Sequence, residues 1–191
     1  YGAFTAYEAA ASVLDYTGYG YDDFSIEHAA NDFRGTLFSK TLDFDVTPDV
    51  IDYYTLAENE PDVKVSVFKD IDRKTNEIIY DEYDSMYFRS FLQVKDKYSS
   101  FLGQNSPIVT VENEKAKSDK SLLIIKDSYA HSLVPFLSKE YKKITMIDLR
   151  YISTDFQLYA PLKDYDKLLF VYNVITFSED KDYIVRLNLC K

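Results

Sequence analysis

The 191-residue sequence holds one cysteine, no tryptophan, two histidines and only 22 lysine and arginine residues against 32 aspartate and glutamate residues. Each shortage removes a class of protein. A single thiol, Cys190, can build neither an intrachain disulfide framework nor a thiolate metal site. His28 and His131 stand far apart and lack the spacing of a helical ligand pair, so no zinc site, no other metal and no cofactor is expected. A net charge of −10 repels the phosphate backbone and offers no basic stripe, which speaks against DNA or RNA as partner. The longest apolar runs, such as Leu168-Leu169-Phe170-Val171-Tyr172, fall far short of the roughly 20 residues of a spanning helix, so no transmembrane segment is expected. The opening Tyr1-Gly2-Ala3-Phe4-Thr5 shows neither the basic start nor the apolar stretch of a secretory leader.

What is present is a large apolar and aromatic complement. Hydrophobic residues make up 46% of the chain, enough for a sizeable core in one domain with an inserted β-rich region over about residues 36–100. Eighteen tyrosines and 13 phenylalanines suit surfaces that contact sugars or peptides, since a tyrosine ring is apolar while its hydroxyl stays wet; ordinary core packing is the commoner use.

Along the chain, Phe4, Tyr7, Ala11 and Leu14 recur at helical spacing and predict a helix over residues 3–17, capped by Gly18. Residues 35–39, 63–68 and 77–80 read as strands, the last two joined as a hairpin across Asp72–Asn76, and predict an antiparallel elaboration over residues 36–82. From residue 107 the pattern becomes strand, helix, strand, helix, strand: strands at 108–111, 121–125, 144–149 and 167–174, helices at 132–141 and 155–164 interrupted by Pro135 and Pro161, and a polar turn at 115–120. The expectation is an α/β fold with a three-layer, SGNH or flavodoxin-like parallel sheet flanked by helices, in which the doubly apolar run Leu122-Leu123-Ile124-Ile125 is central.

The segment Lys126-Asp127-Ser128-Tyr129-Ala130-His131-Ser132 follows that run. In an open parallel sheet, ligands bind beyond the carboxyl ends of the strands. A serine on the sharp turn there exposes its hydroxyl, and the N–H groups that follow can meet a developing oxyanion, which makes Ser128 a candidate nucleophile. Capping of the next helix is the competing role for the same serine. Asn105, before the Ile108 strand, and Asn173, at the end of the last strand, are candidates for the oxyanion site or pocket lining. Asp127, His131 and Arg150 are supporting candidates; Arg150 could pair with Asp127 or Asp148, or meet an anionic sugar. A magnesium-dependent receiver or phosphatase use of Asp127 lacks the second acid such sites carry.

The Asp127-Ser128 pair after an apolar strand resembles the first block of SGNH esterases and O-acetyltransferases, with Lys126 in place of the usual glycine. The longer run from Leu122 to Leu137, together with Ile147-Asp148-Leu149-Arg150-Tyr151, Phe33–Lys40 and Leu169–Val174, is similar to the bacterial DHHW family, distant relatives of alginate O-acetylation proteins. This resemblance implies that the chain is the C-terminal part of one SGNH-like domain and begins just after the Asp-His-His-Trp motif that names the family. It implies a serine esterase or O-acetyltransferase acting outside the cytoplasm, at the cell surface or secreted, on an acylated polysaccharide. Ser128 would be the nucleophile, with the activating aspartate and histidine upstream of Tyr1, so that residues 1–191 alone are expected to show little esterase activity. A non-catalytic carbohydrate-binding or scaffolding module on the same fold is the alternative.

Overall fold

The computed structural model of the protein describes residues 2–35, 47–56, 62–179 and 187. In chain order its strands are β1 (Phe24–Phe33), β2 (Asp49–Leu56), β3 (Val63–Ile71), β4 (Ile78–Tyr83), β5 (Ile108–Asn113), β6 (Ser118–Lys126), β7 (Tyr141–Ile147) and β8 (Lys167–Val171), and its helices are α1 (Gly2–Leu14), α2 (Val134–Leu137) and α3 (Val174–Glu179). They form a mixed α/β structure divided into two compact units, one of Tyr1–Gly18, Pro61–Ser85 and Asn105–Lys191, the other of Tyr19–Glu60 and Met86–Gln104. The β-rich region thus divides differently from the expected 36–100 insertion. β3 and β4 belong with the larger unit, and β1 with the smaller; the strand expected at 35–39 falls, but for Gly35, outside the described residues.

The larger unit is built on a six-stranded sheet of order β4-β3-β5-β7-β6-β8. β6 runs parallel to both β7 and β8. The remaining pairings, β3 with β4, β3 with β5 and β5 with β7, are antiparallel, which corrects the expectation of parallel strands throughout residues 107–175. The reason is the link between β5 and β6. Residues 114–117 are too few for a parallel crossover, which needs a dozen or more residues, so the chain must reverse.

Leu122, Leu123, Ile124 and Ile125 of β6 are all fully buried. Leu123 and Ile125 pack with Ile108, Ile147, Leu149, Ile152, Phe156 and Ala160. Leu122 and Ile124 point the other way, so both faces of this strand are covered, and each such side chain contributes roughly 1.5–3 kcal/mol by burial.

The helices are shorter than expected. α1 ends at Leu14 because Asp15 takes the left-handed conformation, at φ 56°. Gly18 has another role than capping: a Cβ there would lie 2.8 Å from the Tyr7 hydroxyl oxygen. That tyrosine is fully buried, stacks on Phe136 at 5.6 Å between ring centroids, and donates to Glu140 Oε1 at 2.6 Å. The helix expected at 132–141 is reduced to α2, with Pro135 in its first turn, and that expected at 155–164 to two 3-10 turns, Phe156–Leu158 and Leu162–Asp164, on either side of the Pro161 break.

In the smaller unit, β1 and β2 pair antiparallel with register shifts between His28 and Phe33. Tyr53 stacks on Tyr87 at 4.2 Å between centroids, with Phe101 at the edge of both rings. Arg89 lies 5.2 Å from the centre of the Tyr53 ring and bonds both carboxylate oxygens of Glu27 at 2.6 Å.

Candidate active site

Because β6, β7 and β8 are parallel, their carboxyl ends share one edge of the sheet. β6 and β7 are each followed at once by an aspartate whose short side chain turns back on the next backbone N–H groups. Asp127 Oδ1 accepts from the Tyr129 N–H at 2.9 Å and caps a 3-10 turn over Ser128–Ser132. Asp148 Oδ1 accepts from the Arg150 N–H at 3.1 Å and caps a second turn over Leu149–Tyr151.

Ser128 is therefore the first residue of its turn, half-buried, and the cap is Asp127 rather than the serine. Two strands hold this elbow. The Asp127 N–H donates to the Val171 carbonyl at 3.1 Å, and Asp127 Oδ2 accepts from the Asn173 N–H at 2.8 Å and from Asn173 Nδ2 at 2.6 Å. Asn173 turns its own Oδ1 to the Thr176 N–H at 2.9 Å and so starts α3. The carboxylate of Asp127, only 1% exposed, thus ties the serine turn to the end of β8.

Behind the elbow lies a buried polar network. Lys126, fully buried, places Nζ 2.8 Å from His131 Nε2 and 3.5 Å from Asp148 Oδ2. Burial pushes its ammonium down from 10.5 to about 8; Asp148 pulls it back, and Arg150 pushes it further down. Asp148, also fully buried, accepts from Arg150 Nε at 2.9 Å and from an Arg150 terminal nitrogen at 2.6 Å, and the Arg150 guanidinium lies 5.6 Å from the centre of the Tyr151 ring. Of the two acids read from the sequence as partners for Arg150, Asp148 takes it. His131 is 2% exposed and engaged by Lys126.

Asn105 reaches the same edge by the antiparallel course of β5. Ile108 pairs with Ile147, and Pro107 accepts a hydrogen bond from the Asp148 N–H at 3.0 Å, so the residues before β5 lie beside those after β7. A parallel β5 would have put Asn105 at the opposite edge. It is exposed and stands two strand positions from β6, about 10 Å along the sheet. The edge therefore brings Asn173 onto Asp127, the neighbour of Ser128, through direct bonds in the elbow, and His131 and Arg150 together through Lys126 and Asp148.

Lys126 and Asp148 are the members that sequence reading did not assign to the site. The signal for Asp148 was its place directly after an apolar strand, the same as that of Asp127. A lysine closing a run of four buried aliphatics was the signal for Lys126. Among the described residues, no group of three or more His, Cys, Asp or Glu could hold a metal ion, and no helix is long and apolar enough to cross a membrane.

The fold is shared with solved structures. The chain belongs to the DHHW family: the model described as DHHW protein matches residues 1–147. A crystal structure of a DHHW family protein from Eubacterium siraeum matches with a TM-score of 0.77 at 21% identity, over 100% of this chain and 61% of that one. PatB1 from Bacillus cereus matches with a TM-score of 0.66 at 21% identity, over 94% of this chain and 60% of that one. A second structure of PatB1, with a sulfonyl adduct, matches with a TM-score of 0.64 at 21% identity over 94% and 58%. At these identities the likeness is one of fold, and this chain spans about three-fifths of the length of the structures it matches. No curated protein matches it.

Proposed function

We propose that the protein is an SGNH-like serine esterase or O-acetyltransferase acting on an acylated polysaccharide outside the cytoplasm, with Ser128 as the nucleophile. The observation that carries this reading is the elbow itself: a half-buried serine directly beyond β6, the middle one of the three parallel strands, on a turn whose Asp127 is fastened to Asn173 beyond β8. Crevices outside the carboxyl ends of parallel strands are where such folds place their chemistry. The antiparallel strands β3, β4 and β5 are then an extension of an SGNH-like parallel core formed by β6, β7 and β8.

In this mechanism the Ser128 hydroxyl attacks the ester carbonyl and gives its proton to a general base. The tetrahedral oxyanion collapses, the sugar oxygen leaves with a proton, and the acyl-serine passes its acyl group to water or to a second sugar hydroxyl. His131 is held by Lys126, so the base is assigned to the family's Asp-His pair rather than to it. Arg150 is engaged by Asp148 and serves to position the edge. The described sulfonyl adduct of PatB1 fits this class, because sulfonyl groups attach covalently where a side chain is nucleophilic.

A non-catalytic carbohydrate-binding module is the second reading, favoured by the exposed rings of Tyr129 and Tyr151 on the two turns of the same edge, 65% and 51% exposed. The deciding experiment treats the full-length protein with a sulfonyl fluoride and with small acetyl esters, beside its Ser128→Ala variant. An adduct mapped to Ser128 and ester turnover lost in Ser128→Ala are expected. Turnover that survives in Ser128→Ala overturns the nucleophile assignment; no adduct and no turnover, with acetylated glycan still bound, establishes the binding module.

A further inference from the structure

The edge that carries Ser128 does not stop at β7. Beyond Val67, which pairs with Val109, β3 runs on past the start of β5, and its hairpin with β4 closes where Ile71 pairs with Ile78. β5 begins where β7 ends, since Ile108 pairs with Ile147, so the overhanging hairpin tip lies on the same edge as the turns after β6 and β7. Between this tip and the 3-10 turn at Phe156–Leu158 lies a cleft of about 590 Å³, lined among others by Asn76, Glu77, Ile78, Tyr80, Leu158 and Tyr159.

We propose that this cleft is a glycan subsite, which holds a neutral or amino-bearing sugar of the same polysaccharide whose acyl group meets Ser128. The proposal rests on the glycan reading of the Ser128 edge. Three features carry it. Tyr80 and Tyr159 are half-buried against the core beneath, so their rings are fixed rather than free to collapse, as sugar-stacking platforms must be. Asn76 and Glu77 supply an amide and a carboxylate, which together can donate to and accept from sugar hydroxyls.

The tip that presents them is also preformed. Asp72 and Glu77 are joined by an N–H to carbonyl bond of 2.8 Å, the Asn76 N–H donates to the Asp72 carbonyl at 2.8 Å, and Asp72 Oδ1 accepts from the Lys74 N–H at 2.7 Å and the Thr75 N–H at 3.2 Å. Asn76 itself occupies the left-handed region at φ 59°, which asparagine tolerates better than most residues. A rigid wall of this kind lowers the ordering cost of binding.

Location and charge set the ligand. β3 stands three strand positions from β6, about 14 Å along the sheet, so the cleft cannot touch the reacting ester but can hold a neighbouring part of the same chain. Glu77 is the charged residue of its lining, and the protein carries a net charge of −10, so a polyuronate is repelled and a neutral or amino sugar is not.

The test uses the full-length protein with Leu158→Ala and Glu77→Lys, two exposed positions whose replacement leaves the core intact, and Tyr159→Ala as the stronger change. Turnover of a small acetyl ester is compared with kcat/KM on acetylated neutral oligosaccharides of increasing length. Expected are unchanged small-ester turnover in all variants and a fall of about fivefold or more on the longer oligosaccharides, greatest for Tyr159→Ala. Glu77→Lys should also improve use of an acidic oligosaccharide. Wild-type rates on long oligosaccharides in all three variants overturn the subsite while leaving the Ser128 reading intact. If the wild type turns over no ester, the same variants are titrated with the neutral oligosaccharide by calorimetry: weakened binding upholds the subsite, and equal binding removes it.

Discussion

Replacing Lys126 by methionine is expected to leave the protein at least as stable at neutral pH and to remove a rise in stability that the wild type gains in alkali. The ammonium is fully buried, and its pKa falls from 10.5 unfolded to about 8 folded, with desolvation as the leading cause. At about 1.4 kcal/mol per pH unit, that difference means the charged form is disfavoured in the fold by roughly 3 kcal/mol. Below about pH 8 both states hold the proton and the full penalty applies. Between about 8 and 10.5 the unfolded chain binds more protons than the folded one, so stability rises with pH until the penalty is gone. Asp148, Asp127, Arg150 and His131 surround the group, and the net shift already includes the first three.

Methionine fills a similar volume without charge. Asp148 keeps both Arg150 bonds, while His131 Nε2 loses its partner at a cost of about 1–3 kcal/mol. The two effects leave Lys126→Met between about equal to and about 2 kcal/mol more stable than wild type at neutral pH. Urea unfolding followed by circular dichroism between about pH 7 and 10 measures this; tyrosine ionisation is common to both proteins and cancels in the difference. The wild type should close the gap as the pH rises. A difference that stays flat, with Lys126→Met less stable by about 3 kcal/mol or more throughout, refutes the reasoning, because it would mean that Asp148 fully compensates the buried charge.

Asp127→Ala removes three hydrogen bonds to one carboxylate and should cost about 2–4 kcal/mol, with faster hydrogen exchange at the Tyr129 and Asn173 amides; retained protection at those two amides would show that the elbow is held by something else. Gly18→Ala should cost about 1–3 kcal/mol, read as a lower urea midpoint, because the new methyl meets a Tyr7 ring pinned by Glu140 and Phe136; an unchanged midpoint would mean that the ring has room to move.

Local chemistry made much of this protein legible from its residues. The run Leu122–Ile125 announced a strand buried on both faces with a turn carrying Ser128 after it, and the alternation of Val63–Phe68 announced the β3–β4 hairpin, whereas the turn after Ile147 lay inside the strand expected at 144–149. The length of the 114–117 link, too, was in the sequence, and it alone forbids a parallel β5. Helix lengths were less legible, because helical spacing states which side chains share a face but not where the chain must leave the helix to join a sheet. Pro135 and Pro161, the left-handed Asp15 and the packing of β7 from Tyr141 made those decisions. Only the tertiary structure decided who meets whom at the edge. Asn105 arrives there because β5 reverses, Asn173 reaches Asp127 because β8 lies against β6, and Lys126 meets His131 and Asp148 because burial leaves its ammonium no water to turn to. Such pairings depend on strand order and register, which are set by contacts between segments far apart in the chain and leave no mark on any one of them.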